Sequence, residues 1–320
     1  MKFSAVPLAL FTLVAFAANS ILCREALVSG SIGPVEFTLI RLGAGTMALL
    51  PIIFLSISKL LSGPNKSIGR ADLLKLRLSN FGPSLALFAY AIFFSLAYIQ
   101  LHAGTGALIL FASVQMTMIG VSIFLGNRVT FPEWIGLAVA FSGLIYLVLP
   151  GLSAPPLLGT LLMMASGIAW GVYSLLGRRQ ADPILSTARN FLFCLPGLAL
   201  LGLIALWHLV HNDRPPMSLT GIFLAVVSGA ITSGLGYVLW YLTMRRITIT
   251  AASVSQLLVP ILAAMGGILF LNESFSLRLM VASMLIVGGI VVTILSRRVP
   301  EAATERHYPA LQKESSRESA

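Results

Sequence analysis

The chain has 320 residues, 57% of them hydrophobic and only 10% charged, with a mean hydropathy of +0.93. Soluble globular domains carry about 25% charged residues, so that class is excluded and an integral membrane protein is expected. The net charge of +10 is spread singly over short connections, as insertion and anionic lipid headgroups require, which argues against nucleic acid as a partner.

Apolar runs predict ten helical spans, near 3–23, 35–58, 82–101, 105–126, 132–150, 157–177, 185–208, 219–243, 248–271 and 277–296. Span 1 follows Lys2 and ends in the small residues Ala17 and Ala18, a pattern shared with secretory leaders. Its counterpart at 157–174 lies mid-chain, so span 1 is read as a retained helix. Span 2 holds Arg41, ~10 Å below its outer boundary at 1.5 Å per residue. The connection 59–79, with Leu73-Leu74-Lys75-Leu76-Arg77, is expected to lie on the membrane surface as an amphipathic turn. No charge occurs between Arg77 and Arg128, or between Glu133 and Arg178, and each stretch is about twice the ~20 residues one crossing needs. The first divides at His102-Ala103-Gly104-Thr105-Gly106, the second at Pro150-Gly151 and Pro155-Pro156, where turn-forming residues interrupt the run. Spans 7 to 10 follow, and the polar tail 299–320 reads as a disordered end. The ~10-residue alternation of a transmembrane barrel is absent, and helices are the other way to satisfy a backbone in lipid. The expected class is therefore an all-α integral membrane protein.

The ten spans read as five, repeated. Phe16-Ala17-Ala18-Asn19, followed by Arg24, answers Trp170-Gly171-Val172-Tyr173, followed by Arg178; Pro34 answers Pro183, and Gly143 answers Gly289. Five is odd, so the second copy enters the bilayer with the opposite sense, and inverted repeats of this kind belong to carriers. The expected organisation is a first repeat over 1–150, a second over 151–298 and a cytoplasmic tail over 299–320. With the N-terminus inside, 16 Lys and Arg fall in the inner loops and termini against Arg24, Arg214 and Arg278 outside. The positive-inside rule then places both termini in the cytoplasm. Cys23 and Cys194 fall near opposite faces and read as packing residues.

Polar groups deep in a bilayer are costly unless they face a partner or a cavity, and few qualify here. Arg41 either snorkels or pairs with Glu36 structurally, or meets a substrate carboxylate or phosphate; Arg189 reads as snorkelling. Gln115 and Gln256 fall near the middles of spans 4 and 9, which correspond under the repeat, and either contact a ligand at mid-membrane or bond helix to helix. Pro260, four residues after Gln256, frees a backbone carbonyl. Tyr90 is too deep for an interfacial belt, whereas Trp240 fits one. Trp170 and Tyr173 share a helix face, opposite a close-packing surface of Gly167 and Gly171. With Asn19, the candidate substrate-binding set is Asn19, Arg41, Tyr90, Gln115, Trp170, Tyr173 and Gln256.

These features resemble the EamA-type members of the drug/metabolite transporter superfamily over roughly residues 5–296. The resemblance rests on the Phe16–Asn19 and Trp170–Tyr173 groups, Arg41, Val259-Pro260, and the closing patterns Gly126-Asn127-Arg128-Val129-Thr130 and Asn272-Glu273-Ser274-Phe275-Ser276. The chain departs from the family pattern at Asn127 (usually acidic), at Val114-Gln115 (often a proline) and at Phe16 (usually tryptophan). The resemblance implies a secondary carrier exporting an amino acid or related zwitterionic or aromatic metabolite across an inner membrane. An importer of a vitamin or nucleotide-like compound is the alternative, followed by a passive channel and a lipid-headgroup enzyme. No HExxH, phosphate-binding Gly-rich loop, Cys/His cluster or carboxylate pair lies in the spans, so no enzyme, cofactor or metal is expected. Glu36, Glu133 and Glu273 sit at helix ends. The expected partners are a small-molecule substrate and the lipid bilayer, with the chain a monomer or weak homodimer.

Overall fold

The computed structural model describes residues 5–61, 70–124, 126, 129–149, 151, 154–177, 182–211, 217–244, 255–274 and 276–296. The tail 299–320, Asn127, Arg128, the arginine pairs at 178–179 and 245–246, and the start of span 9 lie outside these residues.

All regular structure among the described residues is helical: α1 (Ala5–Val28), α2 (Pro34–Leu61), α3 (Arg70–Tyr98), α4 (Ala103–Phe124), α5 (Phe131–Val148) and α6 (Leu157–Gly177). They are followed by α7 (Pro183–Leu192), α8 (Leu195–His211), α9 (Leu219–Val227), a π-helical segment (Ser228–Leu235), α10 (Gly236–Met244), α11 (Leu258–Leu271) and α12 (Leu277–Ser296). Among the described residues nine stretches are long and apolar enough to cross a membrane, and Leu258–Leu271 is a shorter apolar helix. Large apolar side chains such as Phe54, Phe81, Phe131, Leu219 and Phe270 are exposed, which suits a lipid-facing surface.

Three differences from the expected spans have local causes. Where a surface turn was expected over 59–79, α2 runs on to Leu61 and α3 starts at Arg70, so the described margins of that connection are continuations of the spans. Span 7 is two helices broken at Phe193 and Cys194, because Pro196 cannot donate to the preceding turn and disfavours helical geometry before it. Span 8 is α-helical only at its ends. Its middle, Ser228-Gly229-Ala230-Ile231-Thr232-Ser233-Gly234-Leu235, winds as a π-helix, a local widening that in helices frequently marks functional positions.

The halves interlock through reciprocal pairs. Helix α3 packs on α6, and the α9–π–α10 span packs on α1; α4 packs on α6, and α11 on α1; α5 packs on α12. In each reciprocal case the second pair is the first with both helices replaced by their counterparts under the repeat, and the α5–α12 pair maps onto itself. Small residues permit the contacts. A Cβ at Gly136 would meet the Gly289 carbonyl of α12 at 2.5 Å, and one at Gly167 would meet the Leu110 carbonyl of α4 at 2.5 Å. Helix α1 contributes Leu13, Phe16, Ala17 and Cys23 to the buried core, so it is an integral member of the bundle. Both cysteines are buried and free.

Candidate functional site

Arg41 is the centre of the bundle's polar interior. It lies on α2 inside an apolar span and is only 1% exposed, so it neither snorkels nor pairs with Glu36. Its partners come from other helices: Nε donates to Ser233 Oγ at 3.0 Å, and Nη2 donates to the hydroxyls of Tyr90 and Tyr237, both at 3.1 Å. The guanidinium also lies 4.8 Å from the Phe94 ring centroid and 5.2 Å from that of Tyr90. Of its five N–H donors, the two on Nη1 have no partner. No ion pair reaches Arg41 among the described residues. Hydroxyls and ring faces ease the burial of a cation, but they do not neutralise it, and an uncompensated buried charge is expensive.

A second polar centre adjoins it. Asn19 of α1 donates from Nδ2 to the same Tyr90 hydroxyl at 3.3 Å. Its amide oxygen accepts from Ser228 at 2.6 Å and from Thr232 at 3.2 Å. Ser228, Thr232 and Ser233 all lie on the π segment, and Tyr237 follows it, so one distorted span supplies four hydroxyls to Asn19 and Arg41. That span can approach α2 because Gly229 sits directly against the Arg41 backbone carbonyl, and a Cβ at Gly45 would meet the Gly229 carbonyl at 3.0 Å.

Aromatic rings close the space around these groups. Trp170 lies 4.7 Å from Tyr237, 4.9 Å from Tyr90 and 5.8 Å from Phe16, centroid to centroid. Tyr173 stacks at a tilt on Trp170 at 5.4 Å. Phe16, Asn19, Ser20, Tyr90, Phe94, Leu110, Phe111, Trp170 and Tyr237 line a cavity of only about 10 Å³. That is room for about one water molecule and far below the ~300 Å³ of a small-ligand pocket. The centre is therefore occluded.

Of the sequence-derived set, Asn19, Arg41, Tyr90, Trp170 and Tyr173 come together in one connected cluster. Gln115 is buried one turn beyond Phe111 on α4, and it does not line the cavity. Gln256 is also buried and outside the lining, and its amide oxygen has no hydrogen-bond partner. Trp240, expected in an interfacial belt, is buried and packs edge-on to Phe16 at 5.7 Å. The aromatic cluster extends to it because α10 turns Trp240 inward together with Tyr237. The sequence reading did not include Ser228, Thr232 and Ser233. Three hydroxyls within six residues of an otherwise apolar span were the available signal.

One end of the bundle, where α1 and α3 finish and α4 and α12 begin, is fastened separately. Arg24 of α1 donates from Nε to Glu273 Oε1 at 3.1 Å, and from Nη1 to the Tyr98 and Ile99 carbonyls at 2.8 and 3.0 Å. The other oxygen, Glu273 Oε2, accepts from the Ala103 N–H at the start of α4, at 2.8 Å, where the helix dipole favours an anion. Glu273 can reach back because Asn272 takes the left-handed conformation, with φ of 52°, which asparagine tolerates better than most residues. His102 Nδ1 lies 3.6 Å from the same carboxylate. Beside this clamp, Gln100, His102, Thr105, Pro155, Pro156, Ser276 and neighbours line an open vestibule of about 430 Å³. Among the described residues no group of three His, Cys, Asp or Glu converges as metal ligands would.

Comparison with known proteins agrees with this architecture. A model of the EamA-like transporter family matches residues 3–149 and again 157–295. An uncharacterised protein of Pseudomonas aeruginosa is 41% identical over 93% of this chain and 96% of its own. An uncharacterised transporter of Archaeoglobus fulgidus is 26% identical over 72% of this chain and 81% of its own. A protein of Streptantibioticus cattleyicolor named as a probable terminal-alkyne amino-acid exporter is 24% identical over 69% of this chain and 73% of its own. A solved crystal structure superposes with a TM-score of 0.57 over 91% of this chain and 98% of its own, at 22% identity, a likeness of fold.

Proposed function

Because the chain belongs to the EamA-like transporter family, we propose that it is a secondary carrier that moves a small metabolite through the Arg41 cluster by alternating access. The metabolite is an amino acid or related zwitterionic or aromatic compound, and the direction is export across an inner membrane. The observation that carries this reading is the occluded polar centre at the seam of the two halves, built from α1, α2, α3, α6 and the π-bearing span. A buried guanidinium with two unspent donors and a ring-lined space is costly as mere packing and useful as a ligand site.

In this reading the present state is closed at both the centre and the outer end. Export requires the Arg24–Glu273 clamp to part while the aromatic rings separate, and the reciprocal packing of the halves lets one half rock against the other. The positive-inside bias supports cytoplasmic termini, with repeats over 1–150 and 151–298 inverted in the membrane and the chain acting as a monomer or weak homodimer. The name of the Streptantibioticus relative supports amino-acid-like substrates.

A growth screen tests this. Cells overproducing the chain are challenged with toxic amino-acid analogues and related metabolites, and Tyr90→Phe and Asn19→Ala are then assayed in whichever condition gives resistance. Resistance that falls at equal protein level supports the reading. Full resistance in both variants overturns the site, and an absence of resistance together with no uptake in loaded vesicles overturns the carrier.

A further inference from the structure

We propose that the central site selects a carboxylate-bearing anion with a flat aromatic body, and that it has no use for an ammonium group. This rests on the carrier reading and narrows its cargo to the aromatic compounds, setting the zwitterionic amino acids aside.

Three observations carry the inference. The first is charge: Arg41 is buried without a carboxylate partner among the described residues, so the empty site holds one uncompensated positive charge. An entering anion would neutralise it, whereas a zwitterion brings its own cation and an amine adds a second. The guanidinium does not line the cavity itself, but it rests against the faces of Tyr90 and Phe94, both of which do.

The second is hydrogen-bond polarity. An ammonium needs acceptors, and the obvious acceptor here, the Asn19 amide oxygen, already accepts from Ser228 at 2.6 Å and shares the Thr232 hydroxyl with the Ser228 carbonyl. The Tyr90 hydroxyl receives both Arg41 and Asn19, and the Tyr237 hydroxyl receives Arg41. Beside the Tyr173 hydroxyl, which can donate or accept, what the cluster leaves unspent is donors: the two N–H groups of Arg41 Nη1 and the indole Nε1 of Trp170. Two unspent donor nitrogens beside filled acceptors match a carboxylate and mismatch an ammonium.

The third is shape. Phe16, Tyr90, Trp170 and Tyr237 hold the cavity shut by tilted and edge-on contacts with one another. A ligand that separates these rings must replace their contacts, and a flat ring does so with least loss, since aromatic pairs are favourable beyond the area they bury. The free donors of Arg41 sit on one nitrogen, Nη1, so the guanidinium is expected to hold the carboxylate through one oxygen rather than by a two-pronged fork.

The test uses the purified full chain in lipid nanodiscs with three probes that share a phenyl ring: 3-phenylpropionate, L-phenylalanine and phenethylamine. Binding is read by competition and by quenching of tryptophan fluorescence. The expected order is 3-phenylpropionate at least 10-fold tighter than phenylalanine, with phenethylamine unbound, and with Arg41→Gln losing at least 10-fold for 3-phenylpropionate alone. Because Arg41→Gln can disturb folding, the probe series on the unaltered chain decides independently. Equal or tighter binding of phenylalanine or phenethylamine overturns the inference while the carrier reading stands. Failure of all three to bind also overturns it and leaves the carrier to the growth screen.

Discussion

Arg24 and Glu273 meet at 3.1 Å although 249 positions separate them in the chain, and their contact ties the end of α1 to the turn before α12. The carboxylate also holds the first N–H of α4 and the guanidinium holds the carbonyl of Tyr98, the last residue of α3, so one ion pair gathers four elements at one end of the bundle. If this is the outer gate, Glu273→Gln, which keeps the shape and removes the charge, should open it more often. Cys23, buried beside Arg24, is a native reporter. A membrane-impermeant thiol reagent applied outside should label it at least 10-fold faster in Glu273→Gln, with Cys194 replaced by serine in both proteins. An unchanged rate would show that the clamp does not gate access.

Gly229 lies against the backbone of Arg41, and backbone cannot step aside as a flexible side chain can. Gly229→Ala should therefore cost at least the ~1–3 kcal/mol of core overpacking and displace the guanidinium. Gly43, two residues from Arg41, has nothing within 4 Å of an added Cβ, and Gly43→Ala should be neutral or stabilise by ~0.5–1 kcal/mol through helix propensity. Thermal melting of the two variants in detergent checks the contrast; similar losses would contradict the packing described here.

Tyr90→Phe deletes the hydroxyl that accepts from both Arg41 and Asn19. One charged and one neutral donor then lose a shared acceptor, and about 1–3 kcal/mol of stability should go with them. Transport should fall further than stability explains. Phe94 lacks a hydroxyl and only stacks on the cation, so Phe94→Leu should spare more transport. Melting temperature and vesicle flux, measured on the same preparations, separate the two effects.

Ser228→Ala combined with Thr232→Val would free the Asn19 amide oxygen, which now accepts from Ser228 and shares the Thr232 hydroxyl. A vacant acceptor in the site should raise affinity for phenethylamine from undetectable to measurable, while 3-phenylpropionate changes less than about 3-fold. Competition binding reads both, and an amine still unbound in a folded variant would count against the acceptor argument.

The spans were legible because lipid tolerates few alternatives to an apolar helix, and lone polar residues within them stood out for the same reason. That logic found Asn19, Arg41, Tyr90, Trp170 and Tyr173, which do converge. It also singled out Gln115 and Gln256, because the repeat makes their helices equivalent; like Arg41 and Tyr173 they do not line the cavity, where Leu110 and Phe111 present the wall of α4. Ser228, Thr232 and Ser233 stayed hidden because a hydroxyl in a membrane helix can satisfy itself on its own turn, as Thr232 does on the Ser228 carbonyl at 2.8 Å. The break at Phe193 and Cys194 had a visible cause in Pro196, whereas the π winding had none that periodicity could reveal. Trp240 was misplaced because counting from a span's end takes no account of the rotation that precedes it.

That rotation has a consequence for how relatives of this chain differ. Each extra residue accommodated in a widened turn shifts everything after it by roughly 100° around the helix axis. The inward aim of Tyr237 and Trp240 thus depends on how many residues the eighth crossing contains, as well as on which they are. A relative one residue shorter there would turn the Tyr237 and Trp240 positions away from the Arg41 cluster while keeping both residues, and would be expected to carry a different cargo.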